Sequence, residues 1–212
     1  MNLFRTPFFL PIVYPSLLWR VPTESKSLYL TFDDGPMPGP TEFVLSELKR
    51  FNAKATFFSI GDNVGKHPGI FEKILAEGHA IGNHTFNHLK GWATPLEKYL
   101  DNIKACESQI ANHRQPIANH KSLFRPPYGR ITLKQIKVLK ENYQIVMWDV
   151  LTYDYSKNIS RGNCLMGSIK ATRPGSIIVF HDSLKAERNL TFVLPKFLDH
   201  FSREGYEFKS LM

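Results

Sequence analysis

Short apolar runs alternate with amphipathic stretches along the chain. Runs rich in β-branched and aromatic residues predict strands at residues 28–32, 55–60, 79–81, 123–124, 144–148, 176–180 and 206–209. Between these runs, residues 41–51 and 95–110 carry apolar side chains at the spacing of an amphipathic helix. The regular alternation of strand and helix predicts an α/β protein with a mainly parallel sheet.

Two of the helices begin with a capping signal. Thr94, Pro95 and Glu97 are predicted as the N-cap, the first helical residue and the reciprocal partner of a capping box. Thr132 and Gln135 predict a second box, at the start of a later helix. We therefore expect both helices to begin at defined residues.

The predicted sheet is either open or closed into a barrel. A chain of 212 residues fits one domain, and about seven strands would make a small, incomplete (β/α) barrel. We assign residues 27–212 to that domain and residues 1–26 to a segment packed on it. In both architectures, functional side chains belong at the carboxyl ends of the strands.

The N-terminal segment resembles a signal sequence because Arg5 is followed by apolar residues. However, Pro7, Pro11 and Pro15 interrupt the apolar run, and no small-residue cleavage site follows it. The run is also too short to span a bilayer as a helix, so no transmembrane helix is expected. We expect the segment to pack on the domain, with a peripheral membrane contact as the alternative.

The amino-acid composition limits which binding partners are expected for the protein. The chain is 42% hydrophobic and 22% charged, which is typical of a soluble globular protein. The net charge is +8, but no run of five basic residues occurs, so nucleic-acid binding is not expected. Residues 121–140 carry six Lys or Arg and no acid. This positive charge is either ordinary solvated surface charge or faces an acidic glycan or membrane.

Cys106 and Cys164 are the two cysteines, and they lie far apart without a CxxC pattern. This spacing predicts neither a thiolate zinc site nor a disulfide framework, so both are expected to be buried or partly buried free thiols. Together with the missing cleavage site, the cysteines favour a cytoplasmic location, with association with the cell envelope as the alternative. The oligomeric state is left open.

Two adjacent acids, Asp33 and Asp34, end the first predicted strand, and Gly35 and Pro36 break it. A simple turn explains Gly and Pro here, and Asp is itself a common turn residue. Strand alternation predicts that the two carboxylates point in roughly opposite directions. A turn alone gives no reason for two acids, so partners at other strand ends become relevant.

His84 and His88 follow the third strand, in the stretch GNHTFNH. Two imidazoles four residues apart share one side of a helical turn or of a loop, where they can bind one metal ion. Two solvated or core histidines explain the same pattern. A carboxylate from another strand end would complete a two-His, one-carboxylate catalytic set and leave the neighbouring acid outside the coordination shell.

Three more strand ends carry polar residues. Arg125 precedes two prolines, and it either belongs to a structural loop or fixes a carboxylate. Asp149 and Asp154 follow the next strand, and Asp149 is expected to solvate a loop. His181 follows a buried run and is either structural or functional. Because these strand ends meet at one edge of the sheet, chance would seldom supply a functional residue at each.

At these residues the chain resembles the NodB-like polysaccharide deacetylases, carbohydrate esterase family four. TFDDGP at 31–36, HTFNH at 84–88 and RPPYG at 125–129 resemble the first three motifs of the family. Asp154-Tyr155 and IIVFH, which ends at His181, occupy the places of the fourth and fifth. The resemblance runs from about residue 29 to 208, and it implies a distorted barrel with one divalent metal ion.

The resemblance also implies the roles of the site residues. The metal, most often zinc, with cobalt, nickel and iron as alternatives, would be bound by Asp34, His84 and His88. It would activate a water molecule and polarise an acetamide carbonyl. Asp33 would be the general base, and His181 would protonate the departing amine.

Supporting roles follow from the same resemblance. Arg125 would orient Asp33 and keep it ionised, Asp154 would tune His181, and the backbone N–H of Tyr128 would bind the oxyanion. Three positions depart from the family pattern: Leu89 replaces Pro, Tyr155 replaces Trp against the sugar, and Val179 replaces Leu near the acetyl pocket. None is a proposed ligand, base or acid, so these changes concern the substrate rather than the reaction.

The implied function is removal of N-acetyl groups, and less favoured O-acetyl groups, from an acetylated glycan or amino-sugar oligomer. One alternative is hydrolysis of a small cyclic amide at the same site. A glycan-binding protein with little catalysis is another, although it would not need Asp33 and His181. A non-haem iron oxygenase also uses two His and one carboxylate, but its usual all-β scaffold disagrees with the alternation seen here.

Overall fold

The structure is a computed structural model that describes residues 3–113 and 121–211. Parallel strands form a curled sheet, about half of a barrel. The strands are β1 Ser27–Asp33, β2 Ala55–Ser59, β3 Ala80–Asn83, β4 Ser122–Phe124, β5 Tyr143–Ile145, β6 Val150–Leu151 and β7 Ile177–His181. Their order in the sheet is β5-β4-β3-β2-β1-β7-β6. A short strand, β8 Glu207–Phe208, pairs with the start of β1. The predicted incomplete (β/α) barrel is confirmed.

Helices connect the strands. They are α1 Leu10–Val13, α2 Pro40–Arg50, α3 Gly61–Lys66, α4 Pro68–Ala76, α5 Leu96–Ala111, α6 Leu133–Leu139, α7 Arg161–Ala171 and α8 Glu187–Arg203. The amphipathic pattern located α2 and α5 to within a residue at each end. It did not assign α3, α4, α7 or α8.

The two predicted caps differ in outcome. Thr132 and Gln135 form the expected capping box, since each side chain accepts a hydrogen bond from the backbone N–H of the other residue. The prediction that Thr94 caps α5 is wrong. Pro95 occupies the N-cap in an extended conformation, so Thr94 lies one residue outside the helix and donates to the Lys90 carbonyl instead.

The alternation of β1 separates the helix-covered core from the barrel interior. Leu28, Leu30 and Phe32 belong to the main core, and the Phe32 ring stacks on Phe57 of β2 and Phe180 of β7 at 5.2 and 5.9 Å. These aromatic residues are register partners across three parallel strands. The next residues along the strands therefore share the opposite face, towards the barrel interior.

The two cysteines are buried free thiols, as predicted. Cys106 donates to the Ser59 carbonyl and Cys164 to the Thr152 carbonyl. Burial raises the pKa of both thiols to about 12. Both residues therefore act as small, unreactive core side chains.

The strand predicted at residues 144–148 ends earlier than expected. Strand β5 stops at Ile145, and β6 forms after a turn at Trp148 and pairs with β7 at the opposite edge of the sheet. The prediction that Asp149 solvates a loop is wrong. Asp149 is buried and accepts hydrogen bonds from Arg173, at 3.1 Å to each oxygen, and from Ser176 at 2.7 Å. Its carboxylate fixes this turn.

The N-terminal segment contacts both edge strands. Leu18 donates to the Ile145 carbonyl of β5, and Phe4 accepts a hydrogen bond from Leu151 of β6. Phe8 is 84% exposed, and Phe9, Ile12 and Val13 are also exposed. Over the described part of the chain, no helix combines the length and apolarity needed to cross a bilayer. The membrane-surface contact stays a prediction, and these apolar side chains are the ones that would make it.

We expect Gly82→Ala to destabilise the fold. A Cβ at this position of β3 would overlap the ring of Phe58, which is itself held under the Arg125 guanidinium at 4.1 Å. Overpacking of this kind typically lowers the free energy of unfolding by about 1–3 kcal/mol, measurable by urea denaturation.

The matched control is Gly69→Ala in α4, where an added Cβ meets no atom within 4 Å. We expect Gly69→Ala to leave the free energy of unfolding unchanged or to raise it by up to about 1 kcal/mol. Equal stability of the two variants would contradict the packing described for Gly82.

Candidate active site

The residues assigned to the site from the sequence meet at the carboxyl edge of the sheet, around an open cleft of about 450 Å³. Eight of them line the cleft: Asp33, Asp34, His84, His88, Tyr128, Tyr155, Val179 and His181. Arg125 and Asp154 are fully buried and contact the lining residues from behind. The structure therefore brings together all the residues assigned to the site.

The two adjacent acids face the same site. Asp33 is the register partner of His181 across β1 and β7, while Asp34 has a φ of +85°. The expectation of opposite directions is wrong, because it assumes an extended backbone and the left-handed conformation of Asp34 turns the chain. Both carboxylates reach to 3.9 Å from Nε2 of His84.

Asp34, His84 and His88 form a candidate metal-binding triad. Their ligand atoms all lie within 4.8 Å of one another, and Oδ1 of Asp34 is 3.3 Å from Nε2 of His88. That buried Oδ1 has no hydrogen-bond donor among the described residues. A carboxylate oxygen buried without a donor between two imidazoles suits a cation, and two His with one carboxylate is a common ligand set of catalytic zinc.

The imidazoles are prepared for this role. His84 donates from Nδ1 to the Arg125 carbonyl at 2.8 Å, which leaves Nε2 free as a ligand. Burial, and then the nearby His88, lowers the pKa of His84 to about 3. Burial also lowers the pKa of His88. Both rings are therefore neutral near pH 7, as metal ligands must be.

A strained loop carries the two histidines. Thr85 and His88 have φ values of +66° and +60°, and a β-branched residue rarely adopts this conformation. The Asn83 side chain accepts from the Thr85 N–H at 2.8 Å, and the Asn102 side chain accepts from the Phe86 N–H at 2.9 Å. The histidines thus share a loop rather than a helical turn, and neighbouring side chains hold its shape.

Arg125 connects Asp33 to the rest of the barrel. It has 0% exposure, and its guanidinium donates to Asp33 at 2.7 Å and to Thr31 at 2.6 Å. It also donates to the carbonyls of Val146 and Met147, which follow β5. Burial of such a charge is costly unless it is paired and hydrogen bonded, and here it is both.

His181 and Asp154 form the second charged pair. Nδ1 of His181 is 2.8 Å from one Asp154 oxygen, and the His181 backbone N–H donates to the other at 2.7 Å. Burial alone would lower the pKa of His181, but the charge and hydrogen bond of Asp154 outweigh it and raise the pKa to about 9. His181 is therefore protonated near pH 7 and can donate a proton from Nε2.

The three residues assigned to the substrate wall lie around these groups. Tyr128 has a φ of +60°, and its hydroxyl is 3.1 Å from Nδ1 of His88, a contact that the sequence did not indicate. The Tyr155 ring lies edge-on to His181 at 4.9 Å. Val179 is buried at the floor of the cleft.

Sequence reasoning missed Asp182. Its buried carboxylate accepts from the Gly35 N–H at 3.0 Å and from the Thr41 hydroxyl at 2.6 Å, and its own N–H donates to the Asp33 carbonyl. Burial raises the pKa of Asp182 to about 8. Its position directly after His181 at a strand end was a signal that could have found it.

A curled parallel half-barrel with a His₂Asp triad, a neighbouring acid and a protonated His–Asp pair defines a hydrolase site of the metal-dependent class. The chain matches the family model described as polysaccharide deacetylase over residues 20–145. It belongs to the polysaccharide deacetylase family, and the resemblance found in the sequence is confirmed.

Relatives extend the similarity to most of the chain. A peptidoglycan-N-acetylglucosamine deacetylase of Bacillus cereus is 36% identical over 90% of this chain and 88% of its own length. A peptidoglycan-N-acetylmuramic acid deacetylase of Bacillus subtilis is 32% identical over 89% of this chain and 71% of its own.

A solved structure agrees with this fold. The crystal structure of a peptidoglycan N-acetylglucosamine deacetylase in complex with 4-naphthalen-1-yl-N-oxidanyl-benzamide superposes with a TM-score of 0.86 at 32% identity. The similarity covers 97% of this chain and 95% of that one. Enzyme class and fold therefore agree with the site: the protein is a hydrolase of the polysaccharide deacetylase class.

We expect Asp33→Asn and Asp34→Asn to separate catalysis from metal binding. Asp34 contacts both histidines, whereas Asp33 is paired with Arg125, so only Asp34→Asn should lower zinc affinity, by about 100-fold or more in a calorimetric titration. Both variants should lose activity by at least about a hundredfold.

The control is Asp199→Asn, a half-exposed acid of α8 that is paired only with Arg203 among the described residues. It should change neither property. Equal loss of zinc in Asp33→Asn and Asp34→Asn would overturn this division of roles.

Proposed function

We propose that the protein is a metal-dependent deacetylase that removes N-acetyl groups from an amino-sugar glycan, with O-acetyl groups as the less favoured substrate. One observation carries the proposal: Asp33 and His181 are register partners on adjacent strands and stand beside the His₂Asp triad. A base and a protonated acid at one site are what amide hydrolysis requires, because water must lose a proton and the amine must gain one.

Zinc is the metal that the ligand set favours. Two imidazoles and one carboxylate leave room for substrate or water in a tetrahedral site, although cobalt, nickel and iron accept the same ligands. The ion held by Asp34, His84 and His88 would supply a positive charge that polarises the acetamide carbonyl and lowers the pKa of a nearby water.

Asp33 and His181 would each carry out one of the two proton transfers. Asp33, fixed by Arg125, would accept the proton of the attacking water. His181, kept protonated by Asp154, would donate its proton to the departing amine. The backbone N–H of Tyr128 is proposed to donate a hydrogen bond to the oxyanion.

The shape of the cleft and the relatives support a glycan as substrate. The cleft of about 450 Å³ is open to solvent, and Tyr155 and Tyr128 offer aromatic surface to a sugar ring. Relatives with peptidoglycan deacetylase names support an N-acetylated glycan of that type. Val179 and Tyr155, which depart from the family pattern, are proposed to adjust the fit of the acetyl group and of the sugar.

Acetate release tests the proposal directly. The zinc-loaded protein should release acetate from N-acetylglucosamine oligomers or peptidoglycan, chelation should abolish release, and added zinc should restore it. Absence of acetate from these substrates and from acetylated xylan would contradict the proposal. Turnover of cyclic ureides instead would favour the small-amide alternative. Retained glycan affinity in Asp33→Asn, with no turnover by the wild type, would favour a binding protein.

We expect Asp154→Asn to move the alkaline limb of the pH profile of kcat/KM to lower pH. The negative charge of Asp154 raises the pKa of His181 to about 9, so the acid form is lost only above that pH. Without the charge the pKa falls, and the limb should move down by about one to three pH units.

The acidic limb reports a different group and should stay in place. Asp154→Asn keeps the shape of the side chain, so circular dichroism should match the wild type. An unshifted alkaline limb in the folded variant would show that His181 is not the proton donor.

A further inference from the structure

Two basic side chains line the catalytic cleft besides the residues used in the reaction. Arg130 lies on the loop after β4, and Lys185 lies on the loop after β7. In the sheet, β4 and β7 are separated by β3, β2 and β1. The two cations therefore approach the cleft from opposite sides.

Aromatic rings hold both side chains in place. The Arg130 guanidinium lies 5.4 Å from the centre of the Trp92 ring, and the Lys185 ammonium lies 5.2 Å from that of Tyr155. Tyr155 in turn packs against His181. Cation–π contacts of this kind restrict an exposed basic side chain without neutralising its charge.

Neither cation has a carboxylate partner within the described residues. Lys66 and Lys73, by contrast, form ion pairs with acids on the outer helices. Lys185 also lines the same cleft as His88 and His181. The sides of the cleft therefore carry positive charge that no acid in residues 3–113 or 121–211 pairs with.

The acids of the cleft do not supply this compensation. Asp33 is paired with Arg125, and Asp34 lies between the two histidines of the metal triad. No acid among the described residues is therefore left to neutralise Arg130 and Lys185, and a bound anion can do so. A substrate that spans the cleft is the molecule that would reach both sides.

We propose that Arg130 and Lys185, one on each side of the cleft, bind anionic substituents on the sugars next to the one that loses its acetyl group. The inference rests on the proposed deacetylase function and names its substrate class: an N-acetylated glycan that carries carboxylates, such as a 3-O-lactyl ether, in preference to a neutral glycan. Phosphate on a neighbouring sugar offers the same charge, so the test includes both anions.

The experiment compares kcat/KM for four tetrasaccharides with the zinc-loaded protein. They are neutral N-acetylglucosamine tetramer, a tetramer alternating N-acetylglucosamine with its 3-O-lactyl derivative, the methyl ester of the latter, and an N-acetylglucosamine tetramer carrying a phosphate. The free carboxylate should be preferred about tenfold over its ester. The preference should shrink as salt rises from about 0.01 M to about 1 M, because the Debye length falls from about 30 Å to about 3 Å.

Arg130→Gln and Lys185→Gln should each lower the preference for the charged over the esterified substrate by about threefold, a size typical of one exposed ion pair. Lys196→Gln is the matched control, because Lys196 lies 4.1 Å from the centre of the Phe192 ring on α8 and outside the cleft. It should leave the ratio unchanged.

The possible outcomes distinguish failure of the proposed anion site from failure of the proposed deacetylase function. Equal kcat/KM for the neutral, charged and esterified glycans would overturn the anion site while leaving the deacetylase intact. A preference that survives both substitutions would overturn the assignment to Arg130 and Lys185. Lack of acetate release from all four would remove the proposed function itself. Preference for phosphate over carboxylate, lost in both variants, supports the site and names its anion.

Discussion

A buried guanidinium holds the catalytic end of the barrel together. Arg125 joins β1 to the chain after β5 through its side chain, and its carbonyl fixes the tautomer of His84. Removing one partner of such a buried pair typically costs about 3–5 kcal/mol, because the other charge is left uncompensated. Stability and activity therefore rest on the same interaction: the group that orients Asp33 is also the group that closes the interior of the half-barrel.

The partner of each acid decides what its carboxylate can do. Asp33 faces a guanidinium, Asp34 two neutral imidazoles and Asp154 a protonated imidazole. Asp182 has only hydrogen-bond donors and no cation among the described residues, and burial raises its pKa to about 8. Four acids within one small region thus avoid a shared role, because each meets a different charge and a different degree of burial.

The sequence predicted which residues meet because parallel strands end at one edge. His84, Arg125 and His181 each follow a strand, so their convergence required only the β-α alternation. The local sequence pattern could not predict the direction in which the Asp34 side chain points. Its left-handed turn depends on the Asp182 carboxylate, which binds the next N–H from 147 residues away. The break after β5 and the buried role of Asp149 likewise depend on the distant Arg173, so local polarity suggested a solvated loop.

The strained loop at residues 84–88 has a consequence for how the protein handles its metal. Its unusual backbone is held by Asn83 and Asn102 through hydrogen bonds within the protein. The entropy of ordering both imidazoles is therefore lost during folding and not when an ion arrives. A metal ion would then meet two imidazoles that the fold already holds in position, so its binding would not have to bear the cost of ordering the loop.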